Sequence, residues 1–300
     1  MKWPSSVEGV LREIRSDNLS GATQLAERGA RLLLWYLKRE TKGDLQEGIK
    51  LLGKALVDAQ PAMAPMLNLV NSLFLTIEAL EDPLKIKREG IKTIEEFLDA
   101  LAEGTEKIRD YALPLLEGKK TILTHSYSST VLRVLGNARG AEVICPEGRP
   151  LYEGLKTAKE LAKRGIKVKL MVDFAAISRV NECNLVMVGA DSVTPDGVVN
   201  KIGTYGIALV AKDNNIPLYV LTGKEKFLPW SFYQALRIEK KDPREVTQEN
   251  IPNVAVENFY FDLTPLRLIT GVVTQEGIIP AEGVLEALKK VKISRWLTEP

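Results

Sequence analysis

The residues best suited to chemistry lie at five short junctions, each where an apolar run of β-forming residues gives way to a turn or a helix. The first is THSYSST, where His125, Ser126, Ser128, Ser129 and Thr130 stand between a strand-like run and an amphipathic helical one. Hydroxyls and free N–H groups at a helix start suit a phosphate. The same hydroxyls also serve as ordinary helix caps. His125, the only histidine of the chain, fits either a buried, hydrogen-bonded role or a proton shuttle. The second junction, CPEGRPLYEG, holds Glu147 and Arg149, and the guanidinium can pair with Glu147 or reach a phosphate. In the third, VGADSVTPDGVVNKIGTYG, Asp191 ends an apolar run, and Asn200 and Lys201 come just before Gly203 and a helix. A carboxylate, a carboxamide and an ammonium in one crevice can move a proton on a sugar while holding its oxygens; alternatively, Asp191 and Lys201 form a plain salt bridge. The fourth and fifth junctions are GKEKF, with Lys224 and Lys226, and FYFDLTP, with Asp262. They read as ligands or, in the plainer sense, as exposed lysines and a turn or cap.

Two kinds of element must position these groups. Residues 5–18, 22–40, 45–60, 64–80 and 92–117 repeat apolar side chains at three-to-four spacing, the helical period, with no competing strand signal. The basic stretch 84–90 reads as the solvated start of a helix. After Gly118 the rhythm changes to short β-rich runs at 121–126, 141–146, 167–173, 184–192, 216–223 and 258–265. Helical segments such as 151–165 and 202–215 lie between them, the former ending on Gly165. Such alternation predicts a Rossmann-like, doubly wound, mostly parallel sheet. The expected fold is therefore α/β: an all-helical N-terminal domain, 1–117, followed by a Rossmann-like C-terminal domain, 118–300. Open sheets of this type bind ligands beyond the carboxyl ends of their strands, where the five junctions fall.

Composition narrows the class. Over 300 residues, 41 basic and 39 acidic side chains leave a formal net charge of +2, which provides no electrostatic footprint for nucleic acid. Cys145 and Cys183 are too few for a disulfide framework, so a reducing, cytoplasmic setting is expected. No apolar run approaches the roughly 18 residues of a membrane span. Neither a metal-ligand cluster nor a cofactor motif is read, and none is expected.

TILTHSYSSTVLRVL, GRPLYEG, VGADSVTPDGVVNKIGT, KEKF and FDLTP, in this order, closely resemble the alpha, beta and delta regulatory subunits of translation initiation factor 2B and their archaeal relatives. The resemblance covers essentially all of 118–300, with weaker motifs before it. It implies a helical domain, a Rossmann-like domain and a homodimer formed through the latter, with initiation factor 2 as a further partner. The superfamily also holds two enzymes, ribose-1,5-bisphosphate isomerase and methylthioribose-1-phosphate isomerase. These are expected to use a cysteine after the threonine-histidine pair and an aspartate in the third junction; the matching positions are Ser126 and Asp191. Serine is a poor substitute, because a thiol can be tuned to exchange protons near neutrality and an aliphatic hydroxyl cannot without a strong base beside it. Where the isomerases carry arginine-glycine-alanine this chain has Ser20, Gly21 and Ala22, and where they carry arginine-proline-threonine it has Gln60, Pro61 and Ala62. The expectation is a non-catalytic regulatory protein binding a sugar phosphate or nucleotide monophosphate through Gly21, Ala22, His125, Ser128, Ser129, Arg149, Asn200, Lys201 and Lys226. The alternative is an isomerase of a phosphorylated ribose with an altered active site at Asp191 and Ser126. Lys201→Ala is expected to abolish most of the ligand-induced rise in melting temperature and to leave the unliganded melting temperature nearly unchanged.

Overall fold

The structure, a computed structural model, describes residues 5–17, 20–39, 44–228, 232 and 237–298. Five helices come first: α1 (Ser5–Ser16), α2 (Ala22–Lys38), α3 (Leu45–Ala59), α4 (Ala64–Ile77) and α5 (Pro83–Ala112). Each follows its apolar stripe; Asn18 and Glu40, at the ends of two expected helices, lie outside the described residues. Asp44 caps α3 by accepting from the Gln46 and Glu47 N–H groups, and Asp82 caps α5 through Leu84 N–H, ahead of a favourable N1 proline. Leu25, Leu33, Ile49, Leu52, Leu56, Met66, Leu73 and Phe74 close the helical core. Trp296, from the far end of the chain, joins this core and meets Phe74 edge-on with ring centroids 5.1 Å apart. At about 1.5 Å per residue α5 is roughly 45 Å long. Its Ile86 and Ile94 pack into the helical core, and its Ile108 and Ala112 pack on the sheet.

The sheet strands are β1 (Thr121–Leu123), β2 (Glu142–Pro146), β3 (Lys167–Met171), β4 (Leu185–Val188), then β7 (Leu218–Leu221), β9 (Gly271–Thr274) and β10 (Gly277–Pro280). The order is β10-β9-β7-β4-β1-β2-β3, parallel throughout except for the β9–β10 hairpin. Both faces are buried along the central strands, as such sheets require, while the edge strand β3 is largely exposed. Successive residues alternate between two cores: Leu123, Ile144, Val186 and Val188 face one, and Ile122, Val143, Leu185 and Met187 the other. Helices α6 (Ser129–Leu135) and α7 (Glu153–Lys163) cover the latter face, and α8 (Asp173–Ile177) and α9 (Thr204–Asp213) cover the former.

Two features depart from the expected strand set. The run 184–192 is not one strand: β4 ends at Val188, and β5 (Ser192–Thr194) turns into β6 (Gly197–Lys201) as a hairpin. That hairpin pairs with β8 (Phe261–Thr264) in a separate three-stranded antiparallel sheet, so the last expected strand lies outside the main sheet. Gly197 allows this pairing, because a Cβ there would sit 2.2 Å from the Thr264 carbonyl oxygen. The β9–β10 hairpin is the second addition. It extends the sheet by an edge.

Candidate functional site

β1 lies between β2 and β4, and the chain proceeds from it toward β2 on one side and from β4 toward β7 on the other. The switch point of the sheet is therefore the gap beyond the carboxyl ends of β1 and β4, the place where such sheets hold ligands. A cavity of about 70 Å³ opens there, several times the ~10–15 Å³ that one water needs. Its sheet wall carries Ser126, Ser128, Ser129, Asp191, Asn200, Lys201 and Lys226, and its helical wall carries Ser20, Gly21, Ala22 and Gln60.

Ser126 follows β1 with φ +64°, a left-handed conformation costly for a residue with a Cβ. Its carbonyl is held by the Thr157 hydroxyl, which donates at 2.6 Å. Ser128 caps α6, its hydroxyl accepting from Val131 N–H at 3.3 Å. Capping and lining are thus one arrangement for Ser128. Gly189, after β4, makes room for it, since a Cβ there would approach the Ser128 side chain to 2.9 Å.

His125 does not reach the cavity. It is buried, and its Nε2 lies 2.8 Å from the Ile202 carbonyl oxygen, so the tautomer with the proton on Nε2 donates to it. Burial holds the imidazole below its ordinary pKa, which keeps the ring neutral. Gly203, with φ +102°, starts α9 against that ring. His125 braces the turn into α9, and its expected place among the ligand contacts is corrected accordingly. Arg149 is corrected as well. Its guanidinium donates to the Tyr152 hydroxyl at 2.8 Å and to the Glu245 and Val246 carbonyls at 3.4 and 3.3 Å. It is spent on tying down residues 245–246 and pairs neither with Glu147 nor with the cavity.

The two lysines of the sheet wall, Lys201 and Lys226, are buried and matched. Lys201 pairs with Glu153, on the first turn of α7, and its ammonium lies 4.8 Å from the Tyr260 ring centroid. A salt bridge from Lys201 to Asp191 is not formed. Because the Lys201 and Glu153 side chains are only 5% and 11% exposed, removing one strands the other, so an unchanged unliganded melting temperature is no longer expected for Lys201→Ala. Lys226 donates to the Ala190 carbonyl at 2.6 Å, and Asn200 donates to the Thr204 hydroxyl at 3.0 Å. Asp191 is placed by its backbone, which bonds Val199 O and Ala64 N. Burial pushes its carboxyl above the ordinary range; Lys226 and Lys201 pull it back, and Glu153 pushes it further up. Among the described residues no donor bonds its carboxylate. Asp262 accepts from Gly203 and Tyr205 N–H groups, capping α9 from β8, which is the plainer of its two expected roles. Lys224 pairs with Glu276 outside the cavity.

On the helical wall Gln60 donates to the Ile14 and Asp17 carbonyls at 2.7 and 3.3 Å, and the Ser20 hydroxyl donates to the Asp17 carboxylate at 2.7 Å. Lining residues that were not anticipated include Asp17, Glu153, Lys241, Tyr260 and Phe261. Glu153 had a visible signal, an acid at a helix start beside the second junction. Lys241 had none, since it lies outside any periodic segment; Tyr260 stood in the fifth junction, FYFDLTP, just before β8, but an aromatic there reads as part of the strand run.

Residues 18–281 match the sequence model of the Initiation factor 2 subunit family. The chain is 33% identical over 282 residues to a translation initiation factor eIF-2B subunit 2-like protein of Pyrococcus horikoshii, covering 92% of this chain and 97% of that one. It is 33% identical over 280 residues to the ribose 1,5-bisphosphate isomerase of Archaeoglobus fulgidus, covering 90% and 88%. The crystal structure of the Pyrococcus horikoshii OT3 translation initiation factor eIF-2B aligns with a TM-score of 0.81 at 31% identity, over 93% of this chain and 98% of that one. Relatives of equal identity thus include both an initiation-factor-like protein and an isomerase.

Proposed function

This chain belongs to the initiation factor 2 subunit family, and on that premise we propose that it is a non-catalytic regulatory protein whose cavity holds a sugar phosphate or nucleotide monophosphate. The observation that carries this reading is the lack of a usable thiol. Ser126 stands in the cavity at the position matching the isomerases' cysteine, and the chain's two thiols are elsewhere. Cys145 and Cys183 are buried in the sheet cores, and burial pushes them up to about 12 and about 11. Losing one well-placed catalytic group costs two to four powers of ten in rate, roughly. The proposed ligand contacts are Lys201, Lys226, Asn200, Ser128, Ser129, Gly21 and Ala22, with His125 and Arg149 withdrawn. Asp191 supports the second reading, an isomerase with an altered site, because a buried carboxyl with no protein donor on it is poised to carry a proton.

One assay separates the two. Incubation with ribose 1,5-bisphosphate should yield no ribulose 1,5-bisphosphate at enzyme-like rates, on the order of 1 s⁻¹. Phosphorylated ligands should nonetheless raise the melting temperature with the logarithm of their concentration above Kd. Ser126→Cys alone should restore little turnover, since Ser20 and Gln60 supply no arginine for the substrate phosphates; robust isomerisation by that single variant would overturn the account. A homodimer through 118–300, contact with initiation factor 2 and a cytoplasmic setting belong to the same proposal. Phe261 packs on the helical core, whereas Leu170 in β3 and Val172 and Phe174 just after it are 46%, 58% and 87% exposed. They are the better candidates. Light scattering at the monomer mass of 33.3 kDa across micromolar concentrations would rule the dimer out.

A further inference from the structure

We infer that Lys241 receives the phosphate of the ligand, at the rim of the cavity beside Tyr260. The inference rests on the ligand-binding reading above and adds which part of the cavity takes the anion. Among the described residues three lysines line the cavity: Lys201, Lys226 and Lys241. The first two are buried and bonded, Lys201 to Glu153 and Lys226 to the Ala190 carbonyl. The side chain of Lys241 is 23% exposed, which places it nearer the opening.

The backbone of Lys241 is held while its ammonium is left unbonded. Lys241 N–H donates to the Asn258 carbonyl at 2.8 Å, and Asn258 Nδ2 donates to the Asp242 carbonyl at 2.9 Å. The acids that flank it are mostly taken. Asp242 pairs with Arg244 at 2.6 Å, and Glu257 pairs with Lys240. Glu245 accepts from the Tyr260 hydroxyl at 2.6 Å and from Asn258 Nδ2 at 2.7 Å. Glu239 remains, 3.9 Å from the Lys241 ammonium and 54% exposed, too far for a hydrogen bond. Among the described residues no group accepts from Lys241 Nζ, which lies 5.5 Å from the Tyr260 ring centroid. Lys201 lies against the same ring, at 4.8 Å.

The carboxylates that line the cavity are drawn to other cations. Glu153 pairs with Lys201, Asp17 pairs with Arg28, and Lys226 and Lys201 attract Asp191. A phosphate set between Lys201 and Lys226 therefore also meets Glu153 and Asp191, and in a buried site like charges repel more strongly than in water. At Lys241 it meets an ammonium with three N–H donors that the protein does not use, on a backbone already fixed, and Lys201 across the Tyr260 ring adds attraction. The sugar hydroxyls then point inward, where the Asp191 carboxylate can accept from them.

The test is calorimetric titration of ribose 5-phosphate and of adenosine monophosphate into the unmodified protein, Lys241→Gln, Lys241→Arg and Glu239→Gln. Lys241→Gln should weaken the tighter of the two ligands by ~10-fold or more, the loss of one charge-assisted hydrogen bond. Lys241→Arg, which keeps the charge, should stay within ~3-fold of the unmodified protein. Glu239→Gln removes the one carboxylate that competes for Lys241 and should bind at least as tightly as the unmodified protein; it also keeps the inference testable if Lys241→Gln does not fold. Unliganded melting temperatures should stay within ~2 °C throughout, because the only ion pair touched is long and exposed. Unchanged affinity in Lys241→Gln, equal losses in the Gln and Arg variants, or weaker binding by Glu239→Gln overturns the role of Lys241 and leaves ligand binding standing. Binding of neither ligand by the unmodified protein removes the ligand-binding reading itself.

Discussion

The two walls of the cavity spend their polar groups in opposite ways. On the sheet wall Lys201, Lys226 and Asn200 are buried, and each is matched to a partner of its own chain: Glu153, the Ala190 carbonyl and Thr204. On the helical wall Ser20 and Gln60, where the resembled isomerases carry arginine, bond to Asp17 and to carbonyls at the end of α1. The sheet wall keeps cations that an anion can share; the helical wall has turned its polar groups into internal struts. A residue can therefore line a cavity and still be structural, and position in the cavity does not by itself make a ligand contact.

Breaking the sheet wall should have the largest effect. Lys201→Met leaves the buried Glu153 carboxylate without its cation and should destabilise the fold by about 3–5 kcal/mol in urea unfolding, besides abolishing ligand-induced stabilisation. A loss below about 1 kcal/mol would mean that the pair is not the strut inferred here. On the helical wall Gln60→Met strands the Ile14 and Asp17 carbonyls, an expected cost of about 1–3 kcal/mol, with ligand-induced stabilisation retained. Were ligand response lost as well, Gln60 would belong with the sheet wall.

A smaller effect comes from Asp262, which closes the start of α9 behind the sheet wall. Burial lifts its carboxyl from the ordinary 3.8 to about 6, against hydrogen bonds from Tyr205 and Gly203 that lower it. Between those values the folded protein holds a proton that the unfolded chain has released. The stability due to this group is therefore present at about pH 4 and lost as pH rises to about 6. Asp262→Asn should gain on the unmodified protein by about 1–2 kcal/mol over that interval, allowing for partial exposure. Parallel stability curves for the two proteins would show the shift to be absent. The smallest effect is assigned to Lys224→Ala, which breaks a half-exposed pair with Glu276 outside the cavity. Its unfolding free energy should change by less than about 0.5 kcal/mol and its ligand response not at all.

Much of this was legible along the chain. The helical period marked α2 through α5, and the five junctions fell beyond the strand ends where cavity, caps and struts lie. The β5–β6 hairpin was legible too, and missed: VTPDGVV carries a Pro-Asp-Gly turn between two valine-rich runs, a hairpin signal with a mechanism. Treating 184–192 as one strand hid it. His125 and Arg149 were misassigned because residue type shows what a side chain can do and not which way it points; one braces Ile202, the other holds Glu245 and Val246.

By itself the sequence determined much of the local order of this protein: the helical segments, most strands of the main sheet, and which polar residues stand at their ends. Those follow from periods of 3.6 and 2 and from turn and capping residues, interactions that reach only a few positions. Only the tertiary structure decided that Lys201 meets Glu153 rather than Asp191, that Asp262 serves α9, and that Asp17 shares a cavity with Lys201 and Lys226. Partners of that kind come from different layers of the fold, and a buried charge takes whichever counter-charge the packing brings within a few ångströms. Spacing along the chain carries no information about that.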